Sequence, residues 1–354
     1  MQERVHGGIR EDELRSLALD AAHVVDFSVN LNPYGPCERL VHAALSARLD
    51  RYPDPHAHAA RAAWASALGR DPSHIAVGHG ASELLWLLMR ALLAPRDRVV
   101  IAEPTFSEMR VAAASCGARI ERVQARADDG YAFDVGTLVN AAQAARAIYV
   151  CSPNNPTGSY LAPEQVRVLA KSAPETIVIL DQSFLTLSEH AADLREAFPD
   201  NVVCVRSLTK DFACPGLRIG LCIANERVIE LIEQLRPTWA TSAPALAAIE
   251  VSAVETNFVQ QSWQRMRVDR DAVTGVLRKH GLTPLPSVTA YQIAAVPLEA
   301  ALLRRHLLAQ GVLVRDCASF GLPRFIRVAA LPERERLRLD HAFAHVQLSR
   351  ASVV

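Results

Sequence analysis

A chain of 354 residues, 50% hydrophobic and 21% charged, is long enough for one large core with a smaller lobe, and its composition excludes a disordered or fibrous protein. Its 38 basic and 38 acidic side chains cancel to a formal net charge of zero, which argues against nucleic acid as a partner. Seven scattered cysteines with no Cys-x-x-Cys pair argue against a disulfide framework or a zinc site. The lack of a long apolar run argues against a signal peptide or a membrane span, so a cytoplasmic protein is expected.

The first forty-odd residues carry loop signals, Asn32-Pro33-Tyr34-Gly35-Pro36 among them. Short β-branched runs follow at 75–77, 98–101, 147–151, 176–180, 202–206 and 217–223, with helical patterns at 83–93, 163–171 and 227–235. The runs lack polar alternation, as strands buried on both faces do. They predict an α/β fold with a mostly parallel central sheet sandwiched by helices. Functional groups of such a fold gather beyond the carboxyl ends of the strands. Residues 243–280 read as helix with few breakers. A strand at 290–296, a helix at 302–310, strands at 312–315 and 325–329 and a terminal helix then form a second lobe. The expected division is a large domain over 46–281 and a smaller α+β domain formed by both chain ends, 1–45 and 282–354.

Four segments that follow strands carry the chemistry. Gly78-His79-Gly80-Ala81-Ser82 opens an apolar helix, where free N–H groups and the positive dipole end suit a phosphate; alone it is also an ordinary strand–helix turn. Ser152-Pro153-Asn154-Asn155-Pro156-Thr157-Gly158 is a rigid loop able to aim an amide. Asp181 closes a buried apolar strand and needs a cation or several donors, although an aspartate there equally caps a helix. The fourth, Ser207-Leu208-Thr209-Lys210, continues to Pro215-Gly216-Leu217-Arg218. An ordinary lysine is neutral in about one molecule in 2,500 at pH 7, so a nucleophilic Lys210 needs a desolvated pocket influenced by cations.

Together these segments resemble the fold-type-I pyridoxal-phosphate enzymes of the aminotransferase class I/II family, over about residues 26–329. The resemblance implies pyridoxal 5′-phosphate held as a Schiff base on Lys210, with Asp181 on the protonated pyridine nitrogen and Asn155 on the ring hydroxyl. It implies a phosphate cup of Gly80, Ala81, Ser82, Ser207 and Arg218, and Phe106 stacked on the ring. Tyr52 matches a tyrosine that reaches the cofactor phosphate of a neighbouring subunit, which implies a homodimer.

Finer features resemble threonine-phosphate decarboxylases, with histidinol-phosphate aminotransferases as close relatives. They are His6-Gly7-Gly8, the run Asp26-Phe27-Ser28-Val29-Asn30-Leu31-Asn32, and Arg315-Asp316-Cys317. The resemblance implies that Arg327 grips the substrate carboxylate and that Arg315, His6 and Asn32 hold a second anion such as phosphate. Departures accompany it. Gln182 replaces the usual glutamate, Phe184 a frequent tyrosine, and Ser242 and Ala290 stand where relatives carry asparagines. The expected activity is decarboxylation of a small L-amino acid bearing a second anion. The alternative is an aminotransferase, or a specialised biosynthetic reaction of the same cofactor. A nucleotide-binding α/β protein is disfavoured because no Gly-x-Gly-x-x-Gly or P-loop pattern opens a helix.

Overall fold

A computed structural model of the chain describes residues 7–346. In chain order its strands are β1 (Val25–Asp26), β2 (Ile75–His79), β3 (Arg98–Glu103), β4 (Arg119–Gln124), β5 (Ala147–Cys151), β6 (Ile177–Asp181), β7 (Val202–Ser207), β8 (Ile219–Ile223), β9 (Thr283–Pro284), β10 (Tyr291–Ala295), β11 (Val312–Leu313), β12 (Arg315–Asp316) and β13 (Phe325–Ala329). Seven of them form one sheet in the order β2-β8-β7-β6-β5-β3-β4. The pairs from β4 through β7 are parallel, and β8 alone runs against both its neighbours, β2 and β7.

The unbroken apolar runs are explained by burial on both faces. On β5, Ile148 and Val150 enter one core while Ala147, Tyr149 and Cys151 enter the other; on β3, Val100 and Ala102 separate in the same way from Val99 and Ile101. The helix Gly80–Leu92 covers the second core with Leu84, Leu85 and Leu88. Each such buried side chain is worth about 1.5–3 kcal/mol relative to exposure. A separate antiparallel sheet, β12-β13-β10-β9, lies towards the C-terminus, and β1 pairs in parallel with β11, tying the start of the chain to that part. No described helix is long and apolar enough to cross a membrane.

Three expectations change in detail. The stretch 243–280 is two helices, Ala243–Ser252 and Thr256–Lys279. The break contains no glycine or proline; successive i→i+3 bonds from the N–H groups of Ala253, Val254 and Glu255 tighten the first helix until it ends. The run 217–223 becomes a strand only at Ile219, because Pro215–Leu217 forms a 3-10 turn and Arg218 takes a left-handed φ of 54°. The run 312–315 divides, β11 pairing with β1 and β12 with β13.

Candidate active site

One edge of the seven-stranded sheet collects the predicted segments. β2, β3, β5, β6 and β7 end there, and because β8 runs the other way its leading residue, Arg218, reaches the same edge. A cavity of about 330 Å³ opens above, lined by Ala81, Ser82, Phe106, Asn155, Ser207, Lys210 and Arg218. Arg315 and Arg327 line it from the C-terminal sheet, where they are direct cross-strand partners on β12 and β13.

At one end of the cavity is a cationic cradle. Gly80 begins its helix at φ 83°, and a Cβ there would stand 2.6 Å from Arg218 Nη2; one on Gly220 would stand 2.7 Å from the Ala81 nitrogen. Two glycines therefore let a guanidinium lie against the open N–H groups of a 13-residue helix. Ser207 Oγ and Thr209 Oγ1 are 2.7 Å apart beside it. Backbone donors, a dipole end, hydroxyls and a fork of N–H groups are what a phosphate monoester requires.

Lys210 lies in the short helix Leu208–Asp211 with its Nζ 4.7 Å from the centre of the Phe184 ring. Burial pushes its ammonium below the usual 10.5, outweighing the carboxylates of Asp181 and Asp211, which pull the other way. Asp181 is buried and accepts 2.8 Å from the Tyr149 hydroxyl and 2.9 Å from the Ser183 N–H. An ionised carboxylate has further lone pairs, so a cationic ring nitrogen can still be received. Cradle, lysine and carboxylate thus fit a phosphorylated pyridine aldehyde.

The two adjacent asparagines are separated by their neighbours. Asn154 is consumed by Pro104, Thr105 and Thr157, which fix the loop, and Asn155 faces the cavity, accepting from Arg327 Nη1. Arg327 Nη2 donates to the Ser28 carbonyl at 2.6 Å, while its Nε is buried with no acceptor. Burial lowers Arg327 to about 10. Arg315 Nη2 donates to Ser319 Oγ at 2.5 Å.

Other predicted residues lie elsewhere. Asn32 is not brought to the cavity: its amide donates to the Asp211 carbonyl at 2.9 Å and accepts from the Tyr34 N–H at 2.9 Å, so it is a backbone brace. Two positions earlier Asn30 lines the cavity, and neither its amide nitrogen nor its oxygen has a partner although both are buried. Tyr52 is 74% exposed and stacks on Trp239, ring centres 4.2 Å apart, outside the cavity of its own chain. Ser242 caps the helix Ala243–Ser252 and Ala290 lies in the core; neither lines the cavity. His6 falls outside the described residues.

Asn30, Tyr149 and Thr209 were missed at the sequence level. Asn30 shares its alternation with Asn32, and the Tyr149–Asp181 contact joins two strands, so neither has a local signature. Tyr149→Phe is expected to remove a hydrogen bond to a charged group, about 1.5–3 kcal/mol, and so weaken cofactor retention roughly tenfold or more. Equilibrium dialysis of pyridoxal phosphate against the folded variant checks it.

Sheet order and cavity contents define a class. The chain belongs to the aminotransferase class I and II family, which it matches over residues 22–346, and pyridoxal 5′-phosphate is its cofactor. Among curated proteins it is 31% identical to the histidinol-phosphate aminotransferase of Methanopyrus kandleri, covering 92% of this chain and 88% of that one. Among solved structures, histidinol-phosphate aminotransferase from Sinorhizobium meliloti in complex with pyridoxal-5′-phosphate superposes with a TM-score of 0.84 at 23% identity, over 96% of this chain and 94% of that one. L-threonine-O-3-phosphate decarboxylase from Porphyromonas gingivalis gives 0.76 at 25% identity, over 90% and 98%.

Proposed function

We propose that the protein is an aminotransferase for a small phosphorylated amine or amino acid of the kind histidinol phosphate represents. One observation carries this reading. Two buried arginines, Arg315 and Arg327, share a cavity wall with the open amide of Asn30 and face the same space as Lys210. A buried donor without an acceptor costs about 1–3 kcal/mol, so the Arg327 Nε and the Asn30 amide are expected to be satisfied by substrate oxygens. The similarity to histidinol-phosphate aminotransferases supports amino transfer as the reaction.

In this reading Gly80, Ala81, Ser82, Ser207 and Arg218 hold the cofactor phosphate, Asp181 holds the proton on the ring nitrogen, and Asn155 and Phe106 orient the ring. When bound, pyridoxal phosphate supplies the electron sink for the pair released at the substrate's α-carbon. Lys210 would take the α-proton at Nζ and return it, as its desolvated amine permits. Arg327 holds the carboxylate of the amino donor, and Arg315 with Asn30 the phosphate of the acceptor. Tyr52 serves the cradle of a second copy, so the working unit is a homodimer; its exposed stack with Trp239 supports this.

Decarboxylation is the second reading. Phe184, without a hydroxyl, lies beside Lys210 and offers no donor to the site. In this reading Arg315 would hold the substrate carboxylate, and pyridoxal phosphate, when bound, would supply the electron sink for its loss as CO₂. Holoprotein supplied with glutamate alone is expected to change its cofactor spectrum and release a keto acid, and then to regain the spectrum with the keto form of histidinol phosphate. CO₂ from phosphothreonine with no response to any amino donor would overturn amino transfer.

A further inference from the structure

Alternation along β7 sends Val205 into the core beneath the helix Gly80–Leu92 and Cys204 into the opposite one. Arg206 shares the Cys204 face and is 5% exposed. Its Nε donates to Gln182 Oε1 at 3.0 Å and its Nη2 to the Leu194 carbonyl at 2.6 Å, both neutral acceptors, and its Nη1 is buried with no partner. Among the described residues it forms no ion pair. Asp211, a buried acid whose charge it feels, is not bonded to it, and the Asp211 Oδ1 is itself buried with no partner.

The cavity beside this guanidinium is about 70 Å³ and is also lined by Arg70, His74 and Arg195. Arg70 is likewise bound only by a neutral group, donating to the Glu196 carbonyl at 3.1 Å. The Glu196 carboxylate is held by Arg167, and Asp200 is exposed at the rim. Two guanidiniums therefore meet one small cavity, and neither is ion-paired to the two carboxylates that also line it, Glu196 and Asp200. A buried cation is tolerated when paired, and like charges at close range repel, so both costs fall if an anion enters. One water needs about 10–15 Å³ of such space, so this cavity has room for a small ion with a few waters, and none for a nucleotide.

We propose that this cavity binds a small inorganic anion, chloride or phosphate, between Arg206 and Arg70 on the face of β7 away from Ser207. The anion stands in for the acidic side chain that position 182 lacks. Because Gln182 follows Asp181 and Arg206 precedes Ser207, it also steadies the strand ends that carry the cofactor site. The inference does not depend on which reaction the enzyme performs.

The test is thermal unfolding of the holoprotein at fixed ionic strength, with gluconate replaced stepwise by chloride and, separately, by phosphate. The wild type is expected to gain roughly 2–4 °C in melting midpoint along a saturating curve with the anion that fits. Gln182→Glu, which supplies the carboxylate internally, is expected to start higher in gluconate and lose the response. Arg70→Ala, on a half-buried residue, is expected to shift the curve at least tenfold to higher anion concentration. Crystals soaked in bromide should give an anomalous peak beside Arg206 Nη1. A wild type indifferent to both anions, or a response unchanged in both variants, overturns the proposal. A phosphate response that survives in the variants belongs to the substrate cavity and counts against it as well.

Discussion

Lys210→Ala is expected to lose turnover by at least about 10²–10⁴-fold, and with it the visible absorbance of the lysine-bound cofactor, while the fold persists. The size of the loss follows from what else lines the cavity. No other lysine and no histidine does so among the described residues, and the remaining basic groups, Arg218, Arg315 and Arg327, are guanidiniums that do not exchange protons in the working range. Nothing nearby can take over the proton at the α-carbon. Millimolar methylamine, which can enter the space vacated by the side chain, should restore part of the rate. The same residue sets a pH dependence. Burial favours the uncharged amine, and the free amine is the form that combines with an aldehyde, so recombination of cofactor-free protein with pyridoxal phosphate should accelerate as pH rises through a midpoint below 10.5. The sign carries over to stability. Between the depressed folded value and 10.5 the unfolded chain binds more protons than the folded one, so cofactor-free protein gains stability with rising pH across that window. A recombination midpoint at or above 10.5 would show that the carboxylates of Asp181 and Asp211 outweigh desolvation.

The large sheet was legible because strands buried on both faces leave continuous apolar runs, and Ala147–Cys151 falls at the expected residues, as does Phe325–Ala329 in the smaller sheet. The strand Arg119–Gln124 was not, since its Arg-Ile-Glu-Arg-Val-Gln pattern belongs to an edge strand paired only with β3. The family and its cofactor were also legible, from the residues around Lys210. Less legible was anything set by neighbours distant in sequence. Asn30 and Asn32 look equivalent in Asn-Leu-Asn, and only the backbone of Tyr34 and Asp211 shows that Asn32 is consumed and Asn30 left open. Ser242 and Ala290 stand where relatives carry asparagines, and one caps a helix while the other packs in the core. Gln182 bonds Arg206 behind the strand and does not line the cavity.

Arg327→Ala should cost about 2–5 kcal/mol in transition-state binding, roughly 30- to 5,000-fold in kcat/KM, because it removes a charged fork and strands its partners. The Asn155 Oδ1 and the Ser28 carbonyl each lose a donor, so the loop that faces the ring loosens together with the substrate grip. Arg327→Lys should recover little, since a compact ammonium lacks the planar fork that spans the Asn155 Oδ1, the Ser28 carbonyl and the open Nε position. The half-reactions divide the roles. If Arg327 holds the donor's carboxylate, its loss slows cofactor conversion by glutamate. Arg315→Ala should spare that half and raise KM mainly for the phosphorylated partner. The cross-strand pairing of the two arginines makes the comparison informative, because both substitutions disturb the same pair of strands, β12 and β13, and differ in which anion they release. Equal losses in both half-reactions for both variants would mean that the arginines act as one undivided cationic wall. Stopped-flow measurement of each half-reaction decides between the two arrangements, and a kcat loss at unchanged KM would assign Arg327 to orienting the α-carbon bond and not to binding alone.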